Sequence, residues 1–212
     1  MWNALSIQNK IFAGFGTILL ANSSCPPFLG SPWGHNEVER MNCSKRIEQV
    51  LSSAVSVRNL DTVIMFSRGP VYWTGIEPSL DKRIAPSLDI DSYFDGLQRT
   101  VDFLGSRGID VVYVTENPEL GMNSRDCLGR PLDLKESVDC RLPISSVNER
   151  QKEYLKRLSR IQSMDIVSSL SAFCDPENGM CSPFDADGRL LYADADHISV
   201  SGSRVQFDRI IK

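Results

Sequence analysis

The chain alternates short apolar runs with amphipathic stretches, and the spacing within each predicts its element. Phe15 to Leu20 is an apolar stretch of strand length ahead of the turn at Cys25, Pro26 and Pro27. Ile47, Val50, Leu51, Ala54 and Val55 recur at helical spacing behind Asn42, which is placed to cap a helix with Cys43 in its first turn. Asp61 to Phe66 carries Val63, Ile64 and Met65 and is bounded by Ser67, Arg68, Gly69 and Pro70, the pattern of a central strand. Ser92 to Arg107 sets Phe94, Leu97, Val101 and Leu104 on one helical face, and Gly108 is placed to end it. Asp110 to Thr115, with Val111, Val112, Tyr113 and Val114, is the clearest strand. The pattern turns helical again from Asn148 to Ser163, Ile166 and Val167 open a short last strand, and the tail after Ser199 reads as a helix.

Strands that are apolar throughout and alternate with helices imply an α/β fold, a mostly parallel sheet with helices on both faces. With 212 residues, 42% apolar and 24% charged, the chain can bury one core of ordinary size, so residues 1–212 are read as a single domain. Ligands of such sheets bind at the carboxyl ends of the strands. That directs attention to the turns after Phe66 and Thr115 and to the segment before His197. The stretch from Glu116 to Val147 is long and loop-like.

Charge and cysteine content narrow the setting. The net charge of −4 and the lack of any basic run argue against nucleic acid or an anionic membrane surface as the main partner. Six cysteines fall as three neighbouring couples, Cys25 and Cys43, Cys127 and Cys140, Cys174 and Cys181. Six cysteines allow about 15 pairings, of which the nearest-neighbour set closes the shortest loops. No couple has CxxC spacing and no histidine completes a metal set, so structural disulfides are expected and no metal or other cofactor is. Disulfides require an oxidising compartment. The apolar segment from Ile11 to Ala21 is too short to span a bilayer. It is also poorly flanked for a signal peptide, with only Lys10 as positive charge before it, so it is read as a buried strand and export is expected to depend on sequence upstream of Met1.

Of the two histidines, His35 stands between Gly34 and Asn36 as an exposed loop residue, and His197 has the context for chemistry. An imidazole that accepts a nucleophile's proton needs a carboxylate to hold its other nitrogen in the right tautomer. Asp194, three residues before His197, can do this from one loop, whereas Asp196 is expected to point elsewhere.

The stretch LLYADADHISVSGS at residues 190–203 resembles the tyrosine-DxxH-leucine-serine signature that closes the SGNH domains fused to membrane acyltransferase-3 proteins. The blocks SSCPPFLG, NCSKRIEQVL, DTVIMFSR and DVVYVTENPELG precede it in matching order, with the cysteine couples between them, so the resemblance covers nearly the whole chain. It implies a three-layer α/β/α sandwich of the SGNH-hydrolase or flavodoxin-like type, lying outside the cytoplasmic membrane and tethered through an upstream membrane domain. It further implies transfer of an acyl group, delivered by that acyltransferase-3 domain, to hydroxyls of a cell-surface glycan. Asp194 and His197 would be the acid and base of a serine triad. A carbohydrate esterase, or a sugar-binding remnant without catalysis, is the alternative.

The chain departs from that family in having no GDS or GxSxG block. Trp2, Asn3, Ala4 and Leu5 look like the helix that follows the family's GDSH motif, so the nucleophilic serine and the first strand are expected upstream of Met1. Ser6, Ser23, Ser24 and Ser67 sit on no nucleophile elbow, and none is assigned. Arg68 and Gly69, directly after a strand, either offer oxyanion donors or form an ordinary turn with a surface arginine. Trp33, Tyr72 and Trp73 either stack on a sugar or pack the core.

Overall fold

The computed structural model describes residues 20, 25–77, 82–83, 88–128 and 139–210. Three parallel strands, β1 (Thr62–Phe66), β2 (Asp110–Val114) and β3 (Asp165–Val167), form a sheet in the order β1-β2-β3, with Met65 opposite Tyr113 and Tyr113 opposite Ile166. The middle place, expected at residues 61–66, falls among the described strands to β2, where Val111, Tyr113 and Val114 are buried. The expected strand at Phe15–Leu20 lies outside the described residues apart from Leu20, which is exposed and in no element.

Among the described residues four longer helices accompany the sheet: α1 (Glu37–Val55), α2 (Ile90–Gly105), α3 (Ile144–Leu158) and α4 (Val200–Ile210). Helix α2 connects β1 to β2 and α3 connects β2 to β3, the crossovers that parallel pairing demands. Successive strand residues face opposite ways. Met65, Val111 and Tyr113 accordingly share one apolar cluster with Ile47 and Leu51 of α1, Leu97 and Val101 of α2, and Tyr154 and Leu158 of α3. Phe66, next along β1, instead meets Phe207 of α4, with ring centroids 6.0 Å apart. Helices on both faces make the expected α/β/α sandwich.

Close approach at α2 depends on Gly96, where a Cβ would meet Ser31 Oγ at 1.8 Å and the Leu29 carbonyl at 2.9 Å. The segment before α1 therefore lies directly on the helix, and Leu29 N–H donates to Thr100 Oγ1 at 2.8 Å. Helix α2 ends as its sequence predicts, with Gly108 at φ +72° and Ile109 N–H donating back to the Leu104 carbonyl.

Helix α1 starts earlier than its apolar spacing suggests. Its cap is Asn36, whose side chain accepts from Glu39 N–H at 2.9 Å while Glu39 Oε2 accepts from His35 N–H at 2.8 Å, a reciprocal capping arrangement. Val38 and Met41 in the first two turns are 61% and 60% exposed, so they carry no inward periodicity that could have marked the start. Cys43 then lies in the second turn. Helix α3 likewise begins at Ile144, four residues before its expected start at Asn148, directly behind Pro143.

All three neighbouring cysteine couples are bridged: Cys25–Cys43, Cys127–Cys140 and Cys174–Cys181. Cys174 and Cys181 pair across a small antiparallel ribbon of Leu142–Pro143, Met180–Cys181 and Cys174–Asp175. Beside it, Leu120, Phe173, Leu191 and Tyr192 form a second, smaller apolar cluster.

Replacing the true cap has a measurable cost. Asn36→Ala should lose about 1 kcal/mol in urea unfolding, whereas Asn42→Ala, inside the helix, should change stability by less than half of that. Equal losses would show that the helix start is misplaced.

Candidate active site

Three chain segments meet at the carboxyl ends of the strands. Beyond β1 comes Ser67-Arg68-Gly69, beyond β2 comes Thr115 to Leu120, and the segment from Leu190 to Ser199 lies across them. That last segment is fixed by its own backbone: Tyr192 pairs with Ile198, Ala193 N–H donates to the His197 carbonyl at 2.7 Å, and Ser199 N–H donates to the Leu191 carbonyl at 2.8 Å. Gly202 of α4 lets the helix close on it, since a Cβ there would stand 2.0 Å from the Leu191 carbonyl oxygen. Three bonds tie it to the loop after β2: Leu120 N–H to the Ala195 carbonyl at 2.8 Å, Asn117 Nδ2 to the Asp196 carbonyl at 3.0 Å, and Tyr192 hydroxyl to the Pro118 carbonyl at 2.8 Å.

Within this frame Asp194 and His197 meet. Nδ1 of the imidazole lies 2.9 Å from Asp194 Oδ2 and 3.1 Å from Oδ1, while Oδ1 also accepts the N–H groups of Asp196 at 3.0 Å and His197 at 2.8 Å. Partial burial pushes the Asp194 carboxyl up, but those two amides and the imidazole outweigh it and hold the group below its usual range. A carboxylate beside Nδ1 favours, in a neutral ring, the tautomer with its proton on that nitrogen. The His197 side chain is 73% exposed and Asp194 45%, so the pair faces outward.

Asp196 joins the pair. Its Oδ1 stands 3.3 Å from His197 Nδ1 and its Oδ2 2.9 Å from Arg68 Nη1, with the side chain 13% exposed. The expectation that it points elsewhere is corrected here: with Arg68 holding Oδ2, Oδ1 of Asp196 stands at the same ring nitrogen as the Asp194 carboxylate. Asp194, Asp196 and His197 place their polar atoms within 4.8 Å of one another. Arg68 compensates the Asp196 carboxylate, and two backbone amides hold that of Asp194.

Beneath it lies a buried charge network that the spacing of the sequence does not reveal. Arg68 Nε donates to Glu119 Oε1 at 3.0 Å, Arg68 Nη2 pairs with the same oxygen, and Arg150 Nη2 pairs with Glu119 Oε2. Gly69 N–H donates to Glu116 Oε1 at 3.1 Å, which turns that donor inward. Burial, then the neighbouring Glu119 carboxylate, pushes the Glu116 carboxyl up to about 8, against the opposing pull of Arg150, Gly69 N–H and Arg68. The only signal for these groups was two acidic residues directly behind the most apolar strand.

The remaining candidates fall to structural roles. Ser67 Oγ donates to the Arg68 carbonyl at 2.9 Å and lies 3.4 Å from the Tyr93 hydroxyl. Trp33 packs on Tyr72 and Trp73 on Tyr93, with centroids 5.7 and 5.2 Å apart, the core alternative to sugar stacking. His35 lies in the turn before α1, as expected. Ser6, Ser23 and Ser24 lie outside the described residues.

Because Glu116 binds its proton more tightly folded than unfolded, stability should fall as pH rises from about 4.5 to about 8 and level off above. Urea unfolding across that window should show the decline in the wild type and a flatter profile in Glu116→Gln. Parallel profiles would contradict the assignment.

Among the described residues no helix is long and apolar enough to cross a membrane. No curated protein matches the chain. Among solved structures, the fold is similar to the periplasmic domain of a lipopolysaccharide acetyltransferase from Salmonella ser. Paratyphi A. That similarity has a TM-score of 0.66 at 15% identity and covers 99% of this chain and 76% of that one. The family model described as SGNH domain (fused to AT3 domains) matches residues 10–212. With the α/β/α sandwich in place and the match spanning nearly its whole length, this chain belongs to the family of SGNH domains fused to AT3 domains.

Proposed function

We propose that this domain transfers an acyl group, acetyl in the first instance, to hydroxyls of a cell-surface polysaccharide, with His197 as general base and acid and Asp194 as its orienting carboxylate. The observation that carries this reading is the 2.9 Å contact between Asp194 Oδ2 and His197 Nδ1 at the carboxyl edge of the sheet. In the first half-reaction His197 Nε2 takes the proton of a serine hydroxyl as the serine oxygen attacks the acyl carbonyl, and the imidazolium returns that proton to the departing donor group. In the second, Nε2 takes the proton of a sugar hydroxyl as it attacks the acyl-serine, and the serine oxygen leaves with that proton.

Membership of a family fused to AT3 domains supports an acyl donor delivered by a membrane partner, and three disulfides support a periplasmic setting. The exposed ring leaves space for a bulky glycan acceptor. The serine is absent as a GDS or GxSxG block from the 212 residues, the one observation that favours a non-catalytic glycan-binding domain instead.

The test is made on this domain expressed together with its proposed membrane partner domain. Hydrolysis of p-nitrophenyl acetate should fall by about 100-fold to 10,000-fold in His197→Ala, the usual range for a lost general base. Undiminished turnover would contradict the reading. Acetyl groups recovered on the polysaccharide distinguish transfer from simple ester hydrolysis, in which only acetate appears.

A further inference from the structure

Arg68 is linked to the imidazole through Asp196. Its guanidinium places Nη1 on Asp196 Oδ2 at 2.9 Å, and Asp196 Oδ1 lies 3.3 Å from His197 Nδ1. The other edge of the fork is held on Glu119, itself paired with Arg150, and both of those side chains come from other elements. The backbone of Arg68 is held as firmly. Tyr154 hydroxyl donates to Tyr113 hydroxyl at 3.0 Å, Tyr113 and Tyr93 hydroxyls lie 3.1 Å apart, and Tyr93 hydroxyl donates to the Arg68 carbonyl at 2.8 Å. Arg68 is therefore fixed at both ends by groups on α2, β2 and α3 and passes that position to the loop bearing the histidine.

We propose that Arg68 and Asp196 are positioning residues for His197: Asp196 is a second carboxylate at Nδ1, Arg68 sets its place, and the Glu119–Arg150 pair anchors Arg68. This rests on His197 being the base of the proposed transfer. It departs from an oxyanion role for Arg68, because the guanidinium is directed at carboxylates on both of its edges. Asp194 supplies the hydrogen bond, and Asp196 limits the ring's swing toward or away from the sheet edge. Arg68 also compensates the Asp196 charge, so that two carboxylates can stand beside one imidazole.

A double-mutant cycle separates acting through Asp196 from acting on substrate. In the same preparation and with p-nitrophenyl acetate as probe, Asp196→Asn and Arg68→Lys should each lower kcat, with KM little changed, by up to about 100-fold for a misplaced base. The double variant should lose no more than the worse single one. Lysine keeps the charge beside Glu119 while losing the fork, so the variant does not strand a buried carboxylate. Losses that multiply, or a rise in KM alone, would overturn the proposal. A second readout needs no turnover: in the 212-residue chain with its two histidines, NMR should show the ring resonances of His197 shifting in both variants and those of His35 staying in place. Unmoved His197 resonances would likewise overturn it. Undiminished turnover in His197→Ala would instead remove the catalytic reading, and the ring shifts would still report whether the positioning contact exists.

Discussion

Glu119 lies with its side chain 2% exposed between the guanidinium groups of Arg68 and Arg150. A carboxylate withdrawn that far from water persists only if it is paired and hydrogen-bonded, and removing one partner of a buried pair costs about 3–5 kcal/mol. The loop after β2, the turn after β1 and helix α3 are therefore held to one another at the carboxyl end of the sheet, where this fold places its ligands. Replacing such a pair by apolar groups would often be no less stable. What the charges provide is a particular geometry: Arg68 has one carboxylate below it in Glu119 and one above it in Asp196, and the second leads to His197.

The tyrosines beneath the network give it a rigid support. Tyr93, Tyr113 and Tyr154 come from α2, β2 and α3, are wholly buried, and form a hydroxyl chain that ends on the Arg68 carbonyl. Burial raises all three phenols well above their ordinary range, so each keeps its proton and the chain keeps its donors. Phe28, Tyr72, Phe94 and Trp73 fill the space around them, with Phe28 edge-on to Tyr93 at 4.9 Å. The core is thus polar along one line and apolar around it, and that line points at the site.

How much of this could be read from the sequence depends on how far apart the interacting residues lie. Asp194 and His197 were legible because three-residue spacing places them on one turn, and the strands at residues 62–66 and 110–114 because their apolar runs are continuous. The nearest-neighbour disulfides follow the same logic of short loops. The start of α1 was not legible, since Asn36 and Glu39 cap it through polar contacts while Val38 and Met41 face solvent. Nor was Asp196, whose direction is decided by Arg68 on a different strand end. Glu116 and Glu119 gave only a hint as acids behind an apolar strand, because their partners Arg68, Gly69 and Arg150 are brought to them by the sheet and by α3.

In the proposed mechanism Asp194 holds the neutral His197 ring with its proton on Nδ1. Nitrogen-15 NMR of the imidazole rings in the 212-residue chain tests it directly, with His35 as the internal reference. The account predicts the Nδ1–H tautomer at His197 in the wild type and its loss in Asp194→Asn. A His197 ring in the Nε2–H tautomer, unaffected by that substitution, would contradict it.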